Sequence, residues 1–411
     1  MTAPIGAPAP NTPRVLVVGA GAFQLDILRT ARRMGIETVA VDKAPNAPGM
    51  READHAVAVD IVEERAVVEV AQRFQVQGVC TAGSDLAVGA VAAVASACGL
   101  IGLLPEVAVR CRDKLQTFET LAAANLAVPI TRAVQTEQEA LAVVRELGGY
   151  PVVVKPRSAA GGRGVAVVRS EAELLASLAR ARLHDRRAQG ALVQAFVGGT
   201  SQGVEAFFWR GELAAAFLLD DQFQSAFVSP VGHSLPSNLA PDLQHEVRAA
   251  VLAFGQALGL CDGPANFDLR IENGRVFLIE VNARLGGNSI TDLVRACHAV
   301  DLSAATLHAA LGMSPLEDLR VKRNTPSASR LFIAEQHGIL RATDPFADFR
   351  EHPGIVVNEL FGVDGQPATM VVDELTILGR CLVQGESTAA AVALCERVAS
   401  SVLARVRLES A

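Results

Sequence analysis

Apolar residues over the first hundred positions come in short unbroken runs separated by amphipathic stretches. RVLVV (14–18) leads into Gly19-Ala20-Gly21, ETVAVD spans 37–42 and GVCTAG spans 78–83. Helical spacing covers 24–34, 63–74 and 86–98. Runs apolar on both faces, each followed by a helix, predict an open parallel sheet. From Asp113 the pattern changes. Helices are predicted at 113–124, 137–147, 242–258 and 291–311, with another starting at Glu171. Strands are predicted at 128–134, 150–156, 166–168 and 191–197, and an antiparallel pair across 205–219 turns at Arg210-Gly211. The final hundred residues add strands at 329–335, 354–360 and 378–385 and a closing helix at 388–402.

One stretch puts polar residues where a strand pattern continues. Residues 266–288 read NFDLRIENGRVFLIEVNARLGGN, two strand-like runs around Asn273-Gly274. A plain two-residue turn pairs Asp268 with Ile279 and Phe267 with Glu280, mixing polar and apolar residues on both faces. A shift of one residue, through a longer turn or a bulge, pairs Asp268 with Glu280. Phe267, Leu269, Ile271, Phe277, Ile279 and Val281 then share an apolar face. Asp268, Glu280, Asn282 and Arg284 share the other. Two carboxylates and an amide oxygen side by side are hard ligands suited to Mg2+ bridging phosphates. The plainer alternative is a surface hairpin with a solvated acidic face.

Composition narrows the field. The chain has 411 residues, half of them hydrophobic and a fifth charged, enough for two to four domains. A formal net charge of -7 gives no electrostatic reason to expect nucleic acid. Seven scattered cysteines, none spaced C-x-x-C, argue against a disulfide framework or zinc site and for buried thiols in a reducing cytoplasm. Residues 1–13 lack signal-peptide features and are expected to form a disordered tail. Leu86–Leu104 carries no charge and approaches the ~20 residues of a membrane span. Its Ala and Gly content, a Ser84-Asp85 cap and a Gly99 stop favour a buried helix followed by a short strand.

Two glycine-rich turns follow strands. Gly19-Ala20-Gly21, with Asp42 ending the next strand, is an incomplete dinucleotide fingerprint, because Gln24 stands at the third glycine. A tight turn, or a helix N-terminus receiving a carboxylate, fits better than NAD. Lys155 ends a strand before Ser158-Ala-Ala-Gly-Gly-Arg-Gly164, which reads as a phosphate cradle, since glycines let backbone N–H groups approach phosphate oxygens and lysine adds charge. A mobile surface loop is the alternative. The lysine precedes the loop, so this is not a P-loop.

Lys114, VVVK155-P, the 158–164 loop, LVQAFV (192–197), Asp268 and Glu280-x-Asn282-x-Arg284 occur in an order that resembles the ATP-grasp superfamily. The resemblance covers nearly all of residues 14–405 and extends to amino-acid ligases and to purine enzymes that use formate or bicarbonate. It implies a Rossmann-like parallel α/β domain (14–112) followed by a two-lobed ATP-grasp fold: a central lid subdomain (113–200) and a Mg-ATP floor (201–312). A small C-terminal α+β region (313–411) closes the chain. Lys114 and Lys155 would contact ATP phosphates, with Ser158, Gly161, Gly162 and Gly164 closing over them. Gln194, Ala195, Phe196 and Val197 would hold adenine through backbone groups. Asp268, Glu280 and Asn282 would bind Mg2+ or Mn2+, and Arg284, with Lys155, would stabilise the transferring phosphoryl group. Two departures bear on the nucleoside pocket: Ser201 stands where an acidic residue usually grips the ribose, with Glu205 a candidate substitute, and Gln194-Ala195 replaces a common Glu or Lys.

The implied reaction is carboxylate activation: a carboxylate attacks the γ-phosphorus of ATP, giving an acyl phosphate and ADP, and an amine displaces phosphate. The implied partners are a small-molecule carboxylate and amine, in a cytoplasmic enzyme that is dimeric like many in the family. His233 stands where amino-acid ligases of this type place a substrate-contacting histidine; an exposed loop histidine is the alternative. Arg284 and the Gly286 and Gly287 amides could hold the acyl carboxylate. Arg330 is a weaker candidate, and Asp85 and Glu52 are indistinguishable from surface or capping carboxylates. The rivals are a bicarbonate- or formate-activating enzyme, a dehydrogenase using Gly19 to Asp42, and a non-catalytic nucleotide-binding module.

Overall fold

The structure is a computed structural model. It describes residues 12–159, 161–185, 189–224, 229–334, 337–362, 364–367, 370–372 and 375–409; residues 1–11 of the expected tail and Glu335, the end of an expected strand, lie outside. The N-terminal region holds β1 (Arg14–Val18), α1 (Leu25–Arg33), β2 (Glu37–Asp42), β3 (His55–Ala58), α2 (Glu64–Phe74), β4 (Gly78–Cys80) and α3 (Val88–Cys98). Its sheet is parallel in the order β3-β2-β1-β4. Leu16 and Val18 pack under α2 and α3, while Val15 and Val17 face α1 and Leu307, so helices cover both sides and the strand can be wholly apolar.

Two local expectations differ here. Leu100–Leu104 forms no strand; it is an irregular approach to α4 (Pro105–Arg112), with Pro105 opening the helix. His55–Ala58 supplies an additional strand from an alternating HAVA pattern. No described helix is long and apolar enough to cross a membrane.

The next unit contains α5 (Lys114–Ala123), β5 (Thr131–Val134), α6 (Glu137–Glu146), β6 (Val152–Pro156), β7 (Ala166–Val168), α7 (Glu171–His184) and β8 (Ala191–Ala195). Its strands form an antiparallel sheet, β5-β8-β6-β7, backed by α6 and α7.

A larger sheet follows, built from β9 (Thr200–Trp209), β10 (Glu212–Gln222), β11 (Gly232–Leu235), then, after α8 (Pro241–Leu258), β12 (Gly263–Glu272) and β13 (Arg275–Asn282). The chain continues through α9 (Ile290–His298), α10 (Leu302–Ala310), β14 (Ser327–Ala334), β15 (Ile339–Ala342), β16 (Ile355–Leu360), β17 (Met370–Val372), β18 (Leu375–Gln384), α11 (Thr388–Arg405) and β19 (Val406–Glu409). The sheet runs β13-β12-β9-β10-β11-β14-β18-β16, so the β11–β14 pair joins strands from both sides of residue 313. The single helix expected over 291–311 is two: Ala299 adopts φ +54°, and Asp301 caps α10 by accepting from the Ala304 amide.

Candidate nucleotide and metal site

The β12–β13 hairpin sets the geometry. Asn273 (φ +52°) and Gly274 (φ +76°) are both left-handed, as a two-residue type I′ turn requires. The register next to the turn is therefore the plain one, pairing Glu272 with Arg275 and Leu269 with Leu278. A bulge at Ile279 then adds one residue, and beyond it Asp268 pairs with Glu280 and Asn266 with Asn282. Both registers occur in one hairpin. This corrects the expected apolar face: Val276 and Leu278 are buried with Phe267, Leu269 and Val281, whereas Phe277 is only half-buried and Ile279 lines the cavity described next.

Over this hairpin lies a cavity of about 660 Å3. It is walled by Lys155, Gly161, Gly162 and Arg163 above, by Asp268, Glu280, Asn282 and Arg284 below, and by Gln194 to Val197 at the hinge. Beyond β8 the chain leaves the strand ladder, so the backbone groups of Phe196 and Val197 lie outside the sheet. A second cavity of about 350 Å3 shares Asp85, Arg163, Glu280 and Asn282 with the first and adds Lys114 and Ser158.

The two lysines reach this floor from the lid side. Asp113 caps α5 through the Leu115 and Gln116 amides and grips Arg157 through two bonds (2.8 and 2.7 Å). That clamp ties the start of α5 to the end of β6, and so Lys114 to Lys155. Lys114 Nζ donates to the Ala159 carbonyl (2.7 Å) and pairs with Glu280 (3.2 Å), joining glycine loop to floor. Lys155 is buried, with its ammonium 4.5 Å from the Phe118 ring centroid. Burial, and then repulsion from Lys114, pull its pKa down to about 7. Burial, and then Glu280 and Asp221, push Asp268 up to about 8.

That excess of acidic charge is what a divalent cation relieves. Among the described residues no group of three or more His, Cys, Asp or Glu encloses a metal. Asp268, Glu280 and Asn282 would hold such a cation with coordination places left for water and phosphate oxygens, as Mg2+ favours.

The remaining expected residues separate. Ser158 donates to Asp185 (2.7 Å) and borders the smaller cavity, while Gly164 packs against His184 outside both cavity walls. Gln194 donates to Thr131 (2.7 Å). Ser201 donates to Asp221 (2.8 Å), and His233 Nδ1 donates to the other Asp221 oxygen (3.0 Å), so His233 is a buried, oriented side chain on the cavity wall rather than an exposed loop residue. Glu205 is fully buried, accepting from the Gly286 amide (3.0 Å) and Asn266 (3.0 Å), and burial raises its pKa to about 7. It anchors the 285–288 loop and does not line the cavity. The Gly286 amide is committed to it, whereas Gly287 lines the cavity. Arg330 pairs with Glu396 (2.8 Å), and Glu52 binds Arg29 and Arg32 on the surface.

The N-terminal sheet completes the wall. Ala82 bridges to Leu285, and the Gly83 amide donates to the Leu285 carbonyl (3.0 Å). Asp85 follows and takes Arg284 Nε (2.9 Å) and Nη2 (2.7 Å) on one oxygen. The first glycine turn is filled by protein: Gln24 accepts from the Gly21 amide (2.8 Å) and donates to the Ala82 carbonyl, and Asp42 accepts from the Ala20 and Ala44 amides (both 2.9 Å). Groups that a dinucleotide would need are spent on the turn itself. Asp113 and Asp221 were not legible as site residues, Asp113 having only a helix-cap signal and Asp221 none; Asp85, which the sequence could not separate from a surface or capping carboxylate, caps no helix and lines the cavity.

The ATP-grasp domain family matches residues 148–292. Formate-dependent phosphoribosylglycinamide formyltransferase of Burkholderia pseudomallei (strain 668) is 28% identical over 234 residues, 56% of each chain. The protein of that name from Stutzerimonas stutzeri is 25% identical over 88% of this chain and 90% of its own. The chain thus spans just over half the length of the first of these relatives. Among solved structures, L-amino acid ligase from Bacillus licheniformis superposes with a TM-score of 0.79 at 20% identity, covering 98% of this chain and 100% of that one. Phosphoribosylglycinamide synthetase from Anaerococcus prevotii gives 0.75 at 22% identity, with the same coverage. At such identities these superpositions establish the fold. Residues 148–292 of the chain match the ATP-grasp domain, and the whole chain shares the fold of these structures.

Proposed function

We propose that the protein is an ATP-dependent carboxylate–amine ligase that joins an amino acid or similar small metabolite to an amine, releasing ADP and phosphate. The observation that carries this reading is the convergence of Lys114, Lys155, Asp268, Glu280, Asn282 and Arg284 on connected cavities between two antiparallel sheets. Backbone groups at Ala195 to Val197 would take the adenine edge, with Ile279 and Leu269 as its apolar bed. Lys155, drained of solvent, would give its charge to phosphate oxygens and regain its proton affinity there. Lys114 would exchange Glu280 for phosphate as the glycine loop settles. Mg2+ or Mn2+ held by Asp268, Glu280 and Asn282 would offset phosphate charge. A donor carboxylate oxygen attacks the γ-phosphorus and ADP leaves; the amine nitrogen then attacks the acyl carbon, the C–O bond to phosphate breaks and the amine proton is lost. The protein's part is positioning and charge stabilisation, with Arg284 beside the transferred group. Its small-molecule partners are a carboxylate and an amine.

A second reading, activation of formate, is favoured by the similarity to formate-dependent relatives. Incubation with ATP and Mg2+ and separate amino-acid, formate and bicarbonate pools distinguishes them by which pool releases ADP. Glu280→Ala should lower that release by roughly 100-fold or more; unchanged turnover would remove the catalytic reading.

A further inference from the structure

The loop after β4 carries Asp85 into the cavity wall, and local structure does not use its carboxylate. The N-cap of α3 is Ala87, with no side-chain cap bond. Asp85 is about a quarter exposed and borders both cavities. Both contacts from Arg284 fall on Oδ1. Among the described residues Oδ2 has no hydrogen-bonding partner, so on a residue that lines both cavities one acceptor remains open. Because Asp85 already offsets the Arg284 charge, and Asp268 and Asp221 lie on the same cavity, this end is better suited to a cation than to a second anion. The wall around it is apolar. A Cβ on Gly287 would lie 3.9 Å from the Phe23 ring, and Ile290, Leu331 and Ile377 continue that surface. A ribosyl phosphate would find few counter-charges here; an ammonium next to a hydrocarbon chain finds both partners.

We propose that the acyl donor is an α-amino acid with an apolar side chain, its ammonium bound to Asp85 Oδ2, and that Asp85 selects it over carboxylates lacking the amine. The assignment rests on the ligase reading and names its donor. The alternative is that Asp85 serves only to hold Arg284. Full-length protein is assayed with Mg2+, ATP and hydroxylamine as a common nucleophile, so that hydroxamate reports donor activation alone. Leucine is compared with 4-methylpentanoate, the same skeleton without its amine. For the wild type, the leucine KM should be lower by roughly tenfold or more, the worth of one charged hydrogen bond. In Asp85→Asn the leucine KM should rise by about that factor while the 4-methylpentanoate KM moves less than about twofold. Equal wild-type KM values for the two acids, which need no variant to measure, would overturn the selection. So would a shared fall in kcat for both in Asp85→Asn, the mark of a mere Arg284 support. In either case hydroxamate still forms and the ligase reading stands. Activation of formate alone would replace the donor class, and absence of ADP release with every carboxylate would remove the ligase reading itself.

Discussion

Replacing Asp268 by Asn should stabilise the ligand-free protein at alkaline pH while abolishing its response to Mg2+ and ATP. Asp268 has its pKa raised from 3.8 to about 8, chiefly by burial and then by Glu280 and Asp221. The folded state thus binds the proton more tightly than the unfolded chain. Its contribution to stability is complete below about pH 4 and is lost as pH rises through about 8. At ~1.4 kcal/mol per pH unit, that interval bounds the effect at about 6 kcal/mol. The carboxylate is only half-buried and borders a cavity open to water, which lowers the expectation to about 1–2 kcal/mol, or ~1–2 °C in Tm for a chain of this size. The assay is thermal unfolding in EDTA at pH 5 and pH 8. The wild-type Tm should fall relative to Asp268→Asn across that range, and Mg2+ with ATP should raise the wild-type Tm at pH 8 but not the variant's. Parallel wild-type and variant curves would refute the idea that Asp268 is held against its charge.

Lys155→Met tests the opposite sign: the Lys155 pKa is lowered from 10.5 to about 7, so stability present above about pH 10 is lost as pH falls through 7. The variant should unfold at higher temperature than the wild type near pH 6, yet lose roughly 100-fold or more in ATP turnover. Deleting Ile279 removes the bulge but carries the plain register through, leaving Glu280 opposite Asp268 and Asn282 opposite Asn266; the Mg2+-dependent Tm shift should survive, and its loss would show that the bulge itself is needed to form the site. Glu205→Ala strands the buried Gly286 amide and Asn266, costing about 2–4 kcal/mol in denaturant unfolding.

Much of the fold was legible because burial leaves a local trace. The all-apolar RVLVV run announced a strand covered on both faces, and the helix expected from Glu171 is α7, capped by Ser170. The missed break at Ala299 leaves no such trace, since apolar spacing continues across both helices. Seven thiols scattered along the chain are all free, five of them buried, with the Cys80 pKa pushed to about 12 by burial.

For the site, sequence by itself determined that Asp268 and Glu280 belong opposite each other, because only a shifted register separates apolar from polar residues. It also placed two lysines and a glycine loop upstream. Tertiary structure decided where the shift occurs. The Asn-Gly turn keeps its own register, the extra residue is absorbed at Ile279, and Val276 and Leu278, not Phe277 and Ile279, enter the core. It also decided which groups are already spoken for: Arg284 meets Asp85 across 199 positions, and Gly286 meets Glu205 across 81. Periodicity records which face of a segment is dry. It carries no mark of a partner brought from another strand, so contacts that commit a charge or an amide become visible only when the sheets are assembled.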